Sequence, residues 1–112
     1  MPESFERGAL TEAVFYILLS LHEPMHGYAI MQNVERLSDG RVVLGPGTLY
    51  GAINALVQKR WIAASSAERN SRKKEYVITA SGRAAFRDEL TRLRELLRNG
   101  EALLEGEHDE VI

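Results

Sequence analysis

The stretch GPGTLYGAINAL, residues 45–56, decides how the rest of the chain is read. Leu49, Ile53, Leu56 and Val57 recur at helical spacing and form an apolar stripe. Gly45 or Gly47 can take backbone angles barred to other residues, and Pro46 suits a helix's first turn. The opposite face collects Gly47, Thr48, Gly51, Asn54, Ala55 and Gln58, and Lys59 and Arg60 arrive only at the end. A helix turned to bulk water usually carries charge on such a face. This face is bare, and something other than water is expected to meet it.

The neighbouring segments supply the context. Upstream, Thr11 is a plausible N-cap and Glu12 suits the positive end of a helix over about 11–21, apolar nearly all round. HEPMHGY reads as a turn, with Pro24 and Gly27 as breakers. A second helix follows over about 28–38, with Ile30, Val34 and Leu37 on one face, and Ser38-Asp39-Gly40 stops it. Arg41 to Leu44 is a short connector. Downstream of Trp61, which reads as a core residue, 62–67 and 74–78 look like two short strands around the basic loop ERNSRK. Thr79 caps a last helix.

The order helix, helix, helix, strand, strand, helix is that of a winged helix-turn-helix, mainly α with a small β-hairpin, followed by a C-terminal helix. In that arrangement the third helix enters the DNA major groove, and its bare face has a use. Gly51 and Ala55 let the backbone come close, while Thr48, Asn54 and Gln58 can donate and accept hydrogen bonds at base edges. Tyr50 lies at the stripe's edge, where its ring can pack and its hydroxyl can reach a phosphate. Tyr28 begins the second helix, where such motifs meet the backbone, although core packing suits it equally. Lys59 and the hairpin's Arg69, Arg72, Lys73 and Lys74 are candidate phosphate contacts. Basic loop residues are more often merely solvated, so it is the place beside the groove-facing helix that singles them out.

Composition bounds the reading. The chain has 112 residues, enough for one domain; 45% are hydrophobic and 27% charged, as in ordinary globular proteins. The net charge of −2 argues against nucleic acid, but its distribution does not: residues 1–40 sum to −4, 41–79 to +5 and 80–112 to −3. There is no cysteine, which excludes disulfides and thiolate chemistry and fits the cytoplasmic location expected here. The longest apolar run, AVFYILLSL, is far short of the roughly 20 residues a bilayer needs, so no membrane partner is expected. His22, His26 and His108 lack metal-ligand spacing, and GPGTLYG lacks the Lys-Ser/Thr pair of a phosphate-binding loop. Neither an enzyme nor a resident cofactor is expected.

Two segments carry a resemblance. LTEAVFYILLSLHEPMHGYAIMQNVERLSDGRVVLGPGTLYGAINALVQKRWI and KKEYVITASGRAAF resemble the PadR-like transcriptional regulators over roughly residues 10–104, with HGYAI at 26–30 and GPGTLYGAI at 45–53 as signatures. The resemblance implies a homodimer on an inverted-repeat operator, usually a repressor, with the C-terminal helix packed on the partner's N-terminal helix. Many relatives are released by small molecules such as phenolic acids or drugs. Asn54 departs from the Lys or Arg common at that place, and the C-terminal helix lacks the Trp of relatives that sandwich flat drugs.

Phe86, Leu90, Leu93, Leu97 and Leu104 form a heptad-like seam broken at Gly100 and widened by Leu96 and Leu103. A helix that overruns so small a domain points to a subunit interface. With the resemblance, the interface set is Val14, Phe15, Leu18, Phe86, Leu90, Leu93, Leu97 and Leu104, and Phe15 and Leu93 are expected to line a pocket for a small hydrophobic effector. The expected organisation is a DNA-binding unit over 1–79, a dimerisation helix over 80–104 and an unstructured acidic tail over 105–112. The other reading is a winged-helix module that binds protein rather than DNA, whose mark would be an apolar face on the third helix.

Overall fold

The computed structural model describes residues 9–65 and 74–109. Its elements run α1 (Glu12–Ser20), β1 (Met25–His26), α2 (Gly27–Leu37), α3 (Pro46–Gln58), β2 (Ile62–Ala64), β3 (Glu75–Ile78) and α4 (Ala80–Asp109). This is a winged helix with a long C-terminal helix, as the element order implies.

Each boundary has a local cause. The Thr11 hydroxyl accepts from the Val14 amide at 3.1 Å and starts α1. At the end of α2, Gly40 N donates to Glu35 O at 2.8 Å while Asp39 and Gly40 hold φ of 58° and 80°. Both residue types tolerate that left-handed region, so the stop costs little. The buried Ser38 hydroxyl then accepts from Val42 N at 2.9 Å and fixes the connector. Thr79 performs two tasks at the start of α4: its hydroxyl accepts from Gly82 N at 3.0 Å and donates to Arg60 O at 2.7 Å.

The sheet has three strands rather than the two of the expected hairpin. β3 lies in the middle, with β1 and β2 antiparallel on either side; Met25 faces Tyr76, and Ile62 faces Ile78. The first strand falls inside HEPMHGY, which reads as a turn because two residues are too few to show alternation. β2 ends at Ala64, short of the expected 62–67, and the central β3 starts one residue later than the expected 74–78.

Ile17, Leu18, Leu21, Ile30, Val34, Leu49, Ile53 and Ile62 are fully buried where α1, α2, α3 and β2 meet. Gross burial of each such side chain contributes about 1.5–3 kcal/mol. Val57, expected on the same stripe, lies outside it and is 40% exposed, because Leu49, Ile53 and Leu56 already fill the inward arc. The end of α1 is tied to the sheet by Ile78 N donating to Leu21 O at 2.8 Å. Between α1 and α2, the Asn33 amide donates to the Ser20 hydroxyl at 2.9 Å.

α4 runs unbroken through Gly100, as the expected last helix does, although the leucine seam is interrupted there; it also includes residues 105–109 of the tail expected to be unstructured. A single glycine in a helix costs only about 1 kcal/mol, which a ladder of this length absorbs. At roughly 1.5 Å per residue its 30 residues reach about 45 Å in a molecule 65 Å long, so much of α4 overhangs the core. At its start, a Cβ on Gly82 would fall 2.1 Å from the Trp61 carbonyl oxygen and 2.7 Å from an Ile78 side-chain carbon. Backbone cannot yield as a flexible side chain can. Gly82→Ala is therefore expected to cost at least about 2 kcal/mol in urea unfolding; a loss below 0.5 kcal/mol, on the order of an ordinary surface change, would show that this packing is not fixed.

Candidate nucleic-acid interface

With its stripe buried, α3 exposes Gly47, Thr48, Gly51, Asn54, Ala55 and Gln58 together. A Cβ added to Gly47 or Gly51 would meet nothing within 4 Å, so the fold itself does not require these residues to be small. The N-cap is Gly45, which has no side chain to satisfy the first amides, and the first turn holds no acidic residue. The positive end of the helix is thus left open to an external anion.

Tyr50 connects the two sequence signatures. A Cβ on Gly27 would overlap the Tyr50 hydroxyl, at 2.0 Å, so the phenol lies directly against the backbone that begins α2. Tyr50 nonetheless keeps 44% of its surface exposed. Tyr76 on β3 lies near enough to feel it: burial pushes the Tyr76 phenol up, and Tyr50 adds to the shift. Tyr28 is 63% exposed, which removes the core-packing reading. Val43, in the connector just ahead of α3, is equally open and was not singled out from sequence, where a lone valine in a connector gives no signal.

The C-terminal end of α3 carries the next charges. Lys59 Nζ lies 4.8 Å from the centre of the half-buried Trp61 ring, so its ammonium packs on the aromatic face. Arg60 is exposed and holds φ of 66°. Lys74 is exposed at the start of β3. Arg69, Arg72 and Lys73 lie outside the described residues.

The interface and effector candidates separate by burial. Leu18 is wholly enclosed in the core, and Phe86 is nearly so, stacked on Phe15 with ring centres 4.8 Å apart. Leu18 has no surface to offer a partner and leaves the interface set; Phe86 is mainly an internal residue. Val14, Phe15 and Leu90 are half-buried. Leu93, Leu97 and Leu104 are exposed, as are Leu96 and Leu103. Phe15 and Leu93 do come together, lining a cleft of about 300 Å³ with Leu10, Tyr16, Glu89 and Arg92.

Glu89 in that cleft was missed from sequence, where it resembles any surface charge on a helix. It is buried, takes Arg92 Nε at 2.8 Å and Nη2 at 2.6 Å, and accepts from Leu10 N at 3.3 Å. The Arg92 hydrogen bonds hold its carboxyl below the ordinary value; burial opposes this, and the Leu10 amide and the Arg92 charge assist. Among the described residues no group of three or more His, Cys, Asp or Glu could hold a metal, and no helix is long and apolar enough to cross a membrane. His22 Nδ1 lies 3.0 Å from the Leu18 carbonyl with its ring against Phe86, and the exposed His26 forms no side-chain cap.

The fold and this surface together define a winged-helix regulator. The chain belongs to the PadR-like family of transcriptional regulators, whose family model matches residues 15–88; these are regulators, not enzymes. A PadR family transcriptional regulator from Eggerthella lenta is similar at 27% identity and a TM-score of 0.66, covering 82% of this chain and 80% of that one. A transcriptional regulator from Clostridium thermocellum shares the fold at 21% identity and a TM-score of 0.61, covering 85% and 90%. An uncharacterized 37.1 kDa protein in transposon TN4556 of Streptomyces fradiae is 37% identical over 73 residues, 64% of this chain. The chain spans 20% of that relative's length.

Glu89 generates a pH prediction. Because its folded pKa is depressed, its contribution is present above the ordinary carboxylate range and is lost as pH falls through the lower, folded value. Glu89→Gln should cost about 1–2 kcal/mol at neutral pH, moderated because Arg92 can recover solvation. It should also flatten the acid limb of the stability curve. Parallel curves for native and variant chains would rule the Glu89 pairing out as a source of acid sensitivity.

Proposed function

We propose that the chain is a homodimeric DNA-binding repressor of the PadR-like type, acting on an inverted-repeat operator. In this reading α3 of each protomer enters successive major grooves about one helical turn apart. Thr48, Asn54 and Gln58 read base edges, and Gly51 and Ala55 allow the close approach. Tyr28, Tyr50, Lys59 and Lys74, with Arg69, Arg72 and Lys73 of the wing, hold phosphates. The single observation that carries the reading is the open, uncharged face of α3, where Gly47 and Gly51 are small with nothing of the fold against them. The polar character of that face disfavours a protein-binding module.

The overhanging part of α4 supplies the dimer contact through Leu93, Leu97 and Leu104, with Val14, Phe15 and Leu90 beside it, and the DNA-binding unit is the one read from sequence over 1–79. Leucines this exposed on one helix suit a second copy. The cleft between Phe15 and Leu93 takes a small hydrophobic effector that releases the operator, in a protein working in the cytoplasm. No shift in melting or operator release with phenolic compounds or cationic drugs would remove the effector from this picture. A monomer in sedimentation equilibrium would remove the dimer.

The DNA reading is tested by gel shift with an inverted repeat from upstream of the chain's own gene against random duplex. Asn54→Ala is expected to cut discrimination between the two by about 10-fold, the worth of one good base contact. Lys74→Ala should instead weaken both similarly and lower the salt slope by about 0.9 per protomer. Equal losses on the two duplexes for Asn54→Ala would refute its role as a reader.

A further inference from the structure

Two non-glycine residues among those described hold a left-handed backbone, and they are not alike. Asp39 has a side chain short and polar enough for that region and is followed by Gly40. Arg60 has no such excuse. It follows the last turn of α3, the position at which a helix usually ends on glycine, and its Cβ crowds the carbonyl that follows.

The bonds that close this turn use backbone alone on Arg60's part. Arg60 N donates to Val57 O at 2.9 Å, Trp61 N to Leu56 O at 3.0 Å, and the Thr79 hydroxyl to Arg60 O at 2.7 Å. Glycine would make all of them without strain. Among the described residues the guanidinium has neither a hydrogen-bond partner nor an ion pair, and the side chain is exposed. Lys59 next to it differs, since its ammonium lies on the Trp61 ring. Arg60 is therefore a strained residue whose side chain serves none of the described residues. Strain of that kind persists where function uses it.

We infer that Arg60 is a phosphate clamp at the trailing end of the recognition helix, retained at the expense of stability. The inference rests on the DNA-binding reading above. Arg60 sits at the junction of α3 and β2, within the segment of the chain that carries the positive charge. A guanidinium there can take a backbone phosphate flanking the groove that α3 occupies. A long cation with five donors suits that task, and a helix end of fixed geometry positions it.

Arg60→Gly, Arg60→Asn and Arg60→Lys test this against the native chain, with thermal unfolding and DNA binding over a salt series on the same preparations. Arg60→Gly should raise the unfolding midpoint by about 4 °C and weaken operator and random duplex alike by about 3- to 10-fold, with a salt slope lower by about 0.9 per protomer. Arg60→Asn, which tolerates the backbone without the charge, should lose the same binding. Arg60→Lys should keep the slope and gain no stability. A midpoint that does not rise with glycine overturns the strain. A midpoint that rises while affinity and slope stay native overturns the clamp and leaves the DNA reading standing. A native chain that prefers no duplex at all overturns both.

Discussion

The whole arrangement depends on how closely α2 and α3 can approach, and one contact sets that limit. The Tyr50 phenol lies where a side chain on Gly27 would have to be. A larger residue at 27 would push the ring, and with it the third helix, away from the second. Because Ile30, Val34, Leu49 and Ile53 are all sealed from solvent in the space so defined, the angle between the helices is fixed on both sides. The pair of signatures HGY and TLYG is thus one steric statement written in two places along the chain.

A second constraint acts at the other end of α3. The carbonyl of Arg60 receives the Thr79 hydroxyl, that of Trp61 receives the Thr79 amide at 2.9 Å, and Gly82 lets the first turn of α4 press onto the same strand. One threonine thus starts the C-terminal helix and at the same time holds the exit of the recognition helix. Any movement of α4 relative to the core must work against this junction.

Much of this was legible from the residues. The stripe Leu49, Ile53 and Leu56, the cap at Thr11 and the stop at Ser38-Asp39-Gly40 are local, and local periodicity and turn chemistry suffice to find them. What escaped depends on contacts between distant segments. β1 is too short to show a pattern and exists because β3 offers it partners. Glu89 is indistinguishable in sequence from its exposed neighbours until Leu10 and Arg92 are seen around it. Leu18 carries an apolar side chain like those at the expected interface, yet the helix turns it inward. The exposed face of α3 could be read because an absence of charge is itself a pattern, whereas the backbone angle at Arg60 leaves no trace in composition.

The sheet has a consequence of its own. Its two outer strands are two and three residues long, flanking a central strand of four. So few unpaired amides and carbonyls at the rims give a neighbouring molecule almost no template along which to extend the ladder. Such brevity disfavours growth into fibres by strand addition. Any contact between copies is thereby left to helical surfaces, which can close on a partner instead of propagating.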